Sequence, residues 1–226
     1  MIKGYFGMPG CGKSTLLAKY AEKELKKLRR GKSKYKHVLT NFYVKGAEKL
    51  RLEDCGKKSI EDSLILIDEI TLFFDSRDFK KFDQEKKYFF LWHRHCGNDI
   101  IYFTQQWDGV DKKIRDITPE LYHVKKIAWW TRATKIFRIL TINEQTKDIV
   151  QGYRFPVFIE RIMALFFKFM LMGNALKLHE WTFRPFWYKY FDSWCPPPIE
   201  DDYVYVPWDA PVGPQPLGRP EDAETD

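Results

Sequence analysis

The chain has little cysteine and nowhere pairs it. Cys11, Cys55, Cys96 and Cys195 are scattered without a CxxC pair. That spacing argues against a disulfide framework and a zinc ribbon, and it suits a reducing cytoplasm. A clean membrane span is also missing. The most apolar stretch, 157–172, is interrupted by Glu160, Arg161 and Lys168 and falls short of the roughly 20 apolar residues a spanning helix needs. The chain opens MIKGYFGMPGCGKS, passing at once into an apolar strand and a glycine-rich turn, with no room for a signal peptide. No internal repeat is visible.

The charge balance turns acidic at the end. The 226 residues carry a net +7. The last 28 hold eight acids and one base, Arg219, a net −7 that leaves residues 1–198 at +14. A body this basic suits a nucleic acid or an anionic membrane surface as partner, or is ordinary solvated lysine. Hydrophobic residues make up 44% of the chain, enough for a core, and aromatics 17%, many of them late. The length suits one α/β domain with an appendage.

Periodicity predicts strands at Ile2–Phe6, His37–Phe42, Leu64–Ile67, Asp99–Phe103, Leu121–Ile127 and Lys135–Ile142. It predicts helices over Ser14 to about Leu28, Asp83–His95 and Val110–Ile117. Strands alternating with helices mean a mainly parallel sheet covered on both faces. This core spans 1–150. A second segment, 151–194, reads as an amphipathic helical and aromatic extension. Glu160, Arg161 and Lys168 form a narrow polar stripe on the 157–172 helix, which packs on the core or another subunit or lies on a membrane surface. Residues 195–226 are Pro-rich and acidic and read as a disordered tail.

The first strand runs into Gly7-Met8-Pro9-Gly10-Cys11-Gly12-Lys13-Ser14-Thr15, which fits GxxxxGK[ST]. Backbone N–H groups must turn inward around phosphate oxygens, and Gly7, Gly10 and Gly12 permit the required angles. Lys13 can reach the β and γ phosphates of ATP. Ser14 can offer its hydroxyl to Mg²⁺ at the start of a helix whose positive end faces the phosphates. About 55 residues on, the apolar strand 64–67 closes with Asp68-Glu69. Asp68 can hold the Mg²⁺ shell and Glu69 can polarise the attacking water. An adjacent glutamate suits a hydrolase better than a metabolite kinase, because hydrolysis needs an oriented water.

Thr104-Gln105-Gln106 follows the fourth strand, where α/β ligands bind. Gln105 can sense the γ-phosphate or orient the water, or it is a solvated turn. Arg94 and Arg115 are candidate arginine fingers for a neighbouring subunit, or surface arginines. His93, His95 and Cys96 do not share one helix face well, which argues against a metal cluster.

These segments together resemble the Zot (zonular occludens toxin-like) family of filamentous-phage assembly ATPases. The residues that carry the resemblance are GMPGCGKST near residue 7, LILIDE ending at Glu69, WHRHCGNDIIYFTQQ at 92–106 and VDKKIRDITPELYHV at 110–124. It covers about residues 1–145, and Tyr190-Phe-Asp-Ser193 is similar to a further short motif. The resemblance implies a P-loop motor of the additional-strand type, working as a homo-oligomeric ring. It implies a place at the cytoplasmic face of the bacterial inner membrane, where single-stranded DNA is extruded while coat protein assembles. Phage coat and exit-channel proteins are then partners. It also implies that Lys13 and Ser14 bind Mg-ATP, Asp68 the metal and Glu69 the water, that Gln105 is a sensor, and that Arg94 or Arg115 is the finger. Typical members continue through a transmembrane helix, and this chain shows no clean one.

Three readings compete. A motor predicts hydrolysis that depends on self-association, with the basic run Lys23–Lys36 available to DNA phosphates. A small-metabolite phosphotransferase predicts activity in a monomer and an arginine-rich lid, and no compact arginine-rich segment is evident. A membrane-docked scaffold with a vestigial site fits poorly with intact Lys13, Ser14, Asp68 and Glu69.

Overall fold

The computed structural model describes residues 1–51, 54–72, 74, 84–142, 149–157, 160, 162 and 178–191. Six strands run parallel: β1 (Ile2–Phe6), β2 (His37–Thr40), β3 (Glu48–Lys49), β4 (Ser63–Ile67), β5 (Asp99–Thr104) and β6 (Glu120–Ile127). Their spatial order is β3-β2-β4-β5-β1-β6. Three more strands continue antiparallel: β7 (Trp130–Ile142), β8 (Ile149–Arg154) and β9 (His179–Phe183).

The central strands are apolar because both their faces are covered. In β4, Ile65 and Ile67 enter one core while Leu64 and Leu66 enter the other. In β5, Ile100 and Tyr102 alternate in the same way with Ile101 and Phe103. Helix α1 (Lys13–Arg29) seals one face with Leu16, Leu17, Ala21 and Leu25. Helices α2 (Gln84–Trp92) and α3 (Lys112–Ile117) seal the other with Phe89, Phe90 and Ile114. Asp111 caps α3 by accepting from the Lys113 amide at 2.7 Å, which starts the helix two residues later than Val110.

The order has one functional consequence. β5 lies between β1, which leads into the glycine loop, and β4, which leads into Asp68. This is the additional-strand P-loop arrangement expected. In register, Phe6 pairs Thr104 and Ile67 pairs Tyr102. The carboxyl ends of all three strands therefore open on one crevice, where ligands of such sheets bind.

β7 is longer than the expected 135–142 because a hairpin joins it to β6. The turn puts Ala128 at a φ of 48° with no glycine or asparagine to announce it. β9 comes from the segment expected as an extension, yet its residues pair with Trp130–Thr134 of β7. A 3₁₀ helix, Pro185–Tyr190, then brings the chain back to α1 and the turn after β2. Lys45 donates its amide to the Tyr190 carbonyl at 3.0 Å, and Val44 bridges Phe191. Most of 157–172 and all of 195–226 lie outside the described residues. Among the described residues no helix is long and apolar enough to cross a membrane.

Candidate nucleotide site

Residues 7–12 form a loop between β1 and α1. Gly7 fits tightly: a Cβ there would meet the Val124 carbonyl oxygen at 2.4 Å. Gly12 has a φ of 95°, and a Cβ would meet Thr131 Oγ1 at 2.1 Å. Gly10 is open on all sides but has a φ of 71°, so its requirement is conformational alone. Met8, Pro9 and Gly10 form the exposed crest, while Cys11, Lys13 and Thr15 are buried. Leu16 donates its amide to Gly12 at 3.1 Å to start α1, and the first-turn N–H groups lack intrahelical acceptors. The Lys13 ammonium donates to the carbonyls of Gly7 at 2.8 Å and Met8 at 3.1 Å.

Ser14 and Asp68 meet directly, the hydroxyl donating to Asp68 Oδ2 at 3.0 Å. Asn41, just past β2, fixes the backbone beneath them. It donates to the Asp68 carbonyl at 2.8 Å and accepts from the Asp68 amide at 2.7 Å. Burial pushes the Asp68 carboxyl above its ordinary pKa, against the opposing effects of Ser14 and Lys13. A hydroxyl and a desolvated carboxylate side by side are hard oxygen donors of the kind Mg²⁺ takes. A cation there would offset the charge that burial disfavours.

Glu69 sits one residue on, with a φ of 49°. Its Oε1 accepts from Thr71 Oγ1 at 2.5 Å, Thr104 Oγ1 at 3.3 Å and the Gln105 amide at 3.3 Å. Glu69 and Gln105 are thus brought together through the Gln105 backbone, at the mouth between β4 and β5. The positive φ lies outside ordinary strand geometry and turns the chain so that two successive acids serve different neighbours.

One candidate finger, Arg94, lies away from this crevice. Arg94 is exposed in the turn before β5, at the amino end of that strand and so at the opposite edge of the sheet. Arg115 is on α3, where Nη1 donates to Asp108 at 3.2 Å. His93 has Nδ1 2.6 Å from the Phe90 carbonyl, and burial lowers its pKa. Asp99, within the segment 92–106, acts at that same distant edge. Burial opposes its ionisation, but Lys34, the N-terminal ammonium and Tyr35 all bond the carboxylate and hold its pKa at about 2.

Several basic-run residues are paired with acids. Lys26 and Arg29 pair Glu22, Lys27 pairs Glu24, Lys34 pairs Asp99 and Lys36 pairs Asp62, at 2.7–3.5 Å. The run therefore offers less uncompensated charge than its sequence suggests.

Sequence reasoning missed a second flank of the loop. Thr131 of β7 donates its hydroxyl to the Cys11 carbonyl at 3.0 Å. Lys19 of α1 donates to Glu180 at 2.6 Å, Thr182 Oγ1 at 2.7 Å and the Trp181 carbonyl at 3.2 Å. Tyr20 donates to the other Glu180 oxygen at 2.5 Å, and Tyr5 shares a 2.6 Å contact with Tyr20. This buried polar group ties α1 and β1 to β9. The signal available in sequence was only a basic residue on the apolar face of α1.

The family model described as zonular occludens toxin (Zot) matches residues 17–157. Among solved structures, the chain is similar to the N-terminal domain of zonular occludens toxin from Neisseria meningitidis. That match has 18% identity over 71% of this chain and 96% of that one, with a TM-score of 0.43. It is similar to the genome packaging NTPase B204 from Sulfolobus turreted icosahedral virus 2 in complex with ATP-gammaS. There the identity is 12% over 70% of this chain and 98% of that one, with a TM-score of 0.42. Similarity to the flagellar accessory protein FlaH from Methanocaldococcus jannaschii has 12% identity, 67% and 88% coverage and a TM-score of 0.37. No curated protein matches the chain.

Proposed function

The chain belongs to the zonular occludens toxin (Zot) family, and from that premise we propose that it is an ATP-hydrolysing motor for filamentous-phage assembly and extrusion. The observation that carries hydrolysis is the division of labour between Asp68 and Glu69. Asp68 is bonded to Ser14 at the loop, and Glu69 is turned to the end of β5 beside Thr104 and Gln105. One acid suits a metal and the next suits a water.

Lys13 and the first-turn amides of α1 would bind the phosphates, with Lys13 exchanging loop carbonyls for phosphate oxygens. Ser14 and Asp68 would hold Mg²⁺, which when bound neutralises charge on the β and γ phosphates. Glu69 would orient the attacking water and accept its proton, and Gln105 would report the γ-phosphate to β5. The work is extrusion of single-stranded DNA at the cytoplasmic face of the inner membrane, by a ring of subunits that meets coat and exit-channel proteins. The family resemblance supports that setting, as does the basic body of the chain. Arg94 and Arg115 remain the arginines proposed to act on a neighbour's nucleotide.

The test is steady-state ATP hydrolysis over a range of protein concentrations, with Lys13→Ala as the blank. Specific activity that rises with concentration supports a site completed between subunits. Activity independent of concentration, in a protein that stays monomeric throughout, overturns the ring and favours a phosphotransferase.

A further inference from the structure

We propose that Arg184 is a nucleotide-binding residue acting within its own subunit, donating from its guanidinium to the α-phosphate of the bound nucleoside triphosphate or diphosphate. This rests on the nucleotide-binding reading of residues 7–15 and adds a contact that lies far outside that motif.

Placement comes first. Arg184 follows β9 directly, and its Cδ stands 3.5 Å from where a Gly12 Cβ would be. Gly12 is the last loop residue before α1, beside the amides that face the α and β phosphates. Side chains alternate along a strand. Glu180 and Thr182 of β9 face Lys19 on α1, and Arg184 is the next residue after the strand, where the chain turns into the 3₁₀ helix. Trp181 and Phe183, of the odd series, are exposed, and Trp181 carries the Arg132 guanidinium over its ring.

The second observation is an unmet bond. Arg184 Nε is buried without a hydrogen-bond partner, a state that costs free energy unless a ligand supplies the acceptor. Among the described residues no carboxylate pairs with its guanidinium. Its recorded ring contact is with Tyr188, 5.8 Å from the ring centroid, which leaves the N–H edge available. An arginine at a phosphate loop with no acid beside it suits an anion.

The third is which end of the loop it serves. Burial raises the Cys11 thiol pKa, and the charges of Lys13 and Arg184 oppose it. With its Cδ at Gly12 as well, Arg184 stands on the Cys11–Gly12 side of the loop. Its position is firm, because the Lys19–Glu180–Thr182 bonds and the Arg184 amide to Trp129 carbonyl bond at 3.0 Å hold β9 and its exit.

The experiment is calorimetric titration of the full chain with ATP, ADP and AMP, in parent, Arg184→Ala and Arg184→Lys. The α-phosphate is common to all three ligands. Arg184→Ala should weaken ATP and ADP equally, by about ten- to a hundredfold, with Arg184→Lys falling between. Parent affinity for ADP in Arg184→Ala overturns the proposal, and so does a loss confined to ATP, which would mark a γ-phosphate contact. Thermal melting without nucleotide checks the fold. If Arg184→Ala melts early, Arg184→Lys carries the same comparison. A parent that binds none of the nucleotides, or a Lys13→Ala variant that binds as well as the parent, fails the phosphate-loop reading itself.

Discussion

The two flanks of the phosphate loop are held in place by different means. On the metal flank, Asp68, Glu69 and Thr104 project from the ends of adjacent parallel strands, and short bonds among Ser14, Asp68 and Asn41 fix them. On the opposite flank the loop leans on antiparallel strands from much later in the chain. Thr131 is 120 residues from the Cys11 carbonyl it bonds, and Thr182 is 163 from Lys19. The first flank is assembled by sheet register, so its chemistry sits in compact motifs. The second is assembled by a buried polar clamp whose members have no fixed spacing. If the proposed function holds, the first flank serves reaction and the second grip, and changes on the two should separate rate from affinity.

The sharpest separation is expected at Glu69. Glu69→Gln keeps an acceptor oxygen for Thr71, Thr104 and the Gln105 amide but removes the base. Hydrolysis should fall by about 10²–10⁴-fold while ATP affinity holds. Turnover and equilibrium binding of ATP, measured on the same preparation, check this. A variant that hydrolyses at the parental rate removes Glu69 from the mechanism.

The next largest effect should come from breaking the clamp. Lys19 and Glu180 are paired at 2.6 Å with side chains 9% and 24% exposed. Lys19→Met leaves Glu180 without its cation and strips the donor from Thr182 and Trp181. Removing one member of a buried pair is strongly destabilising, and the partial exposure here brings the expectation to about 2–3 kcal/mol in urea unfolding. Adding Glu180→Gln should recover part of the loss, since the two changes share one interaction. A single variant as stable as the parent would mean that β9 is held by backbone pairing alone.

The same contrast explains what the sequence disclosed. The Asp68 flank was legible because its residues are local: GxxxxGK[ST] marks the loop, and an acid pair after an apolar strand marks the two carboxylates that meet Ser14 and Thr104. The parallel core was legible from its apolar runs. Asn41 was not, since its role is to bond the backbone of Asp68 across the sheet and no pattern marks it. β8 and β9 were missed because 151–194 read as an amphipathic helical and aromatic extension, and the pairing that makes β9 a strand is with β7, far from it in sequence. The turn that extends β7 has Ala128 where glycine or asparagine would have given it away. Asp99 illustrates the converse. Its segment was read as part of the motor's signature, yet in the fold it anchors Lys34 and Tyr35 at the edge away from the nucleotide.

The smallest effect, and the finest test of the metal flank, is a gain in stability. Burial raises the Asp68 pKa, so the folded chain holds that proton more tightly than the unfolded one does. The contribution to stability is fully present below the ordinary value of 3.8 and is lost as pH rises through the higher folded pKa. At neutral pH the ionised carboxylate is therefore a cost to the nucleotide-free protein. Asp68→Asn keeps an acceptor for Ser14 and removes the charge. Its Tm without nucleotide should rise by about 2–4 °C at pH 7, and the gain should shrink as pH falls toward 3.8 and the parent carboxyl takes up its proton. With Mg-ATP the order should reverse, because the parent gains a cation that offsets the buried charge and the variant does not. Melting curves at the two pH values, with and without Mg-ATP, measure all four terms. A nucleotide-free Asp68→Asn that melts below the parent at pH 7 would show that Asp68 is held by its neighbours as a stabilising ion, and that this flank, like the other, is built for grip.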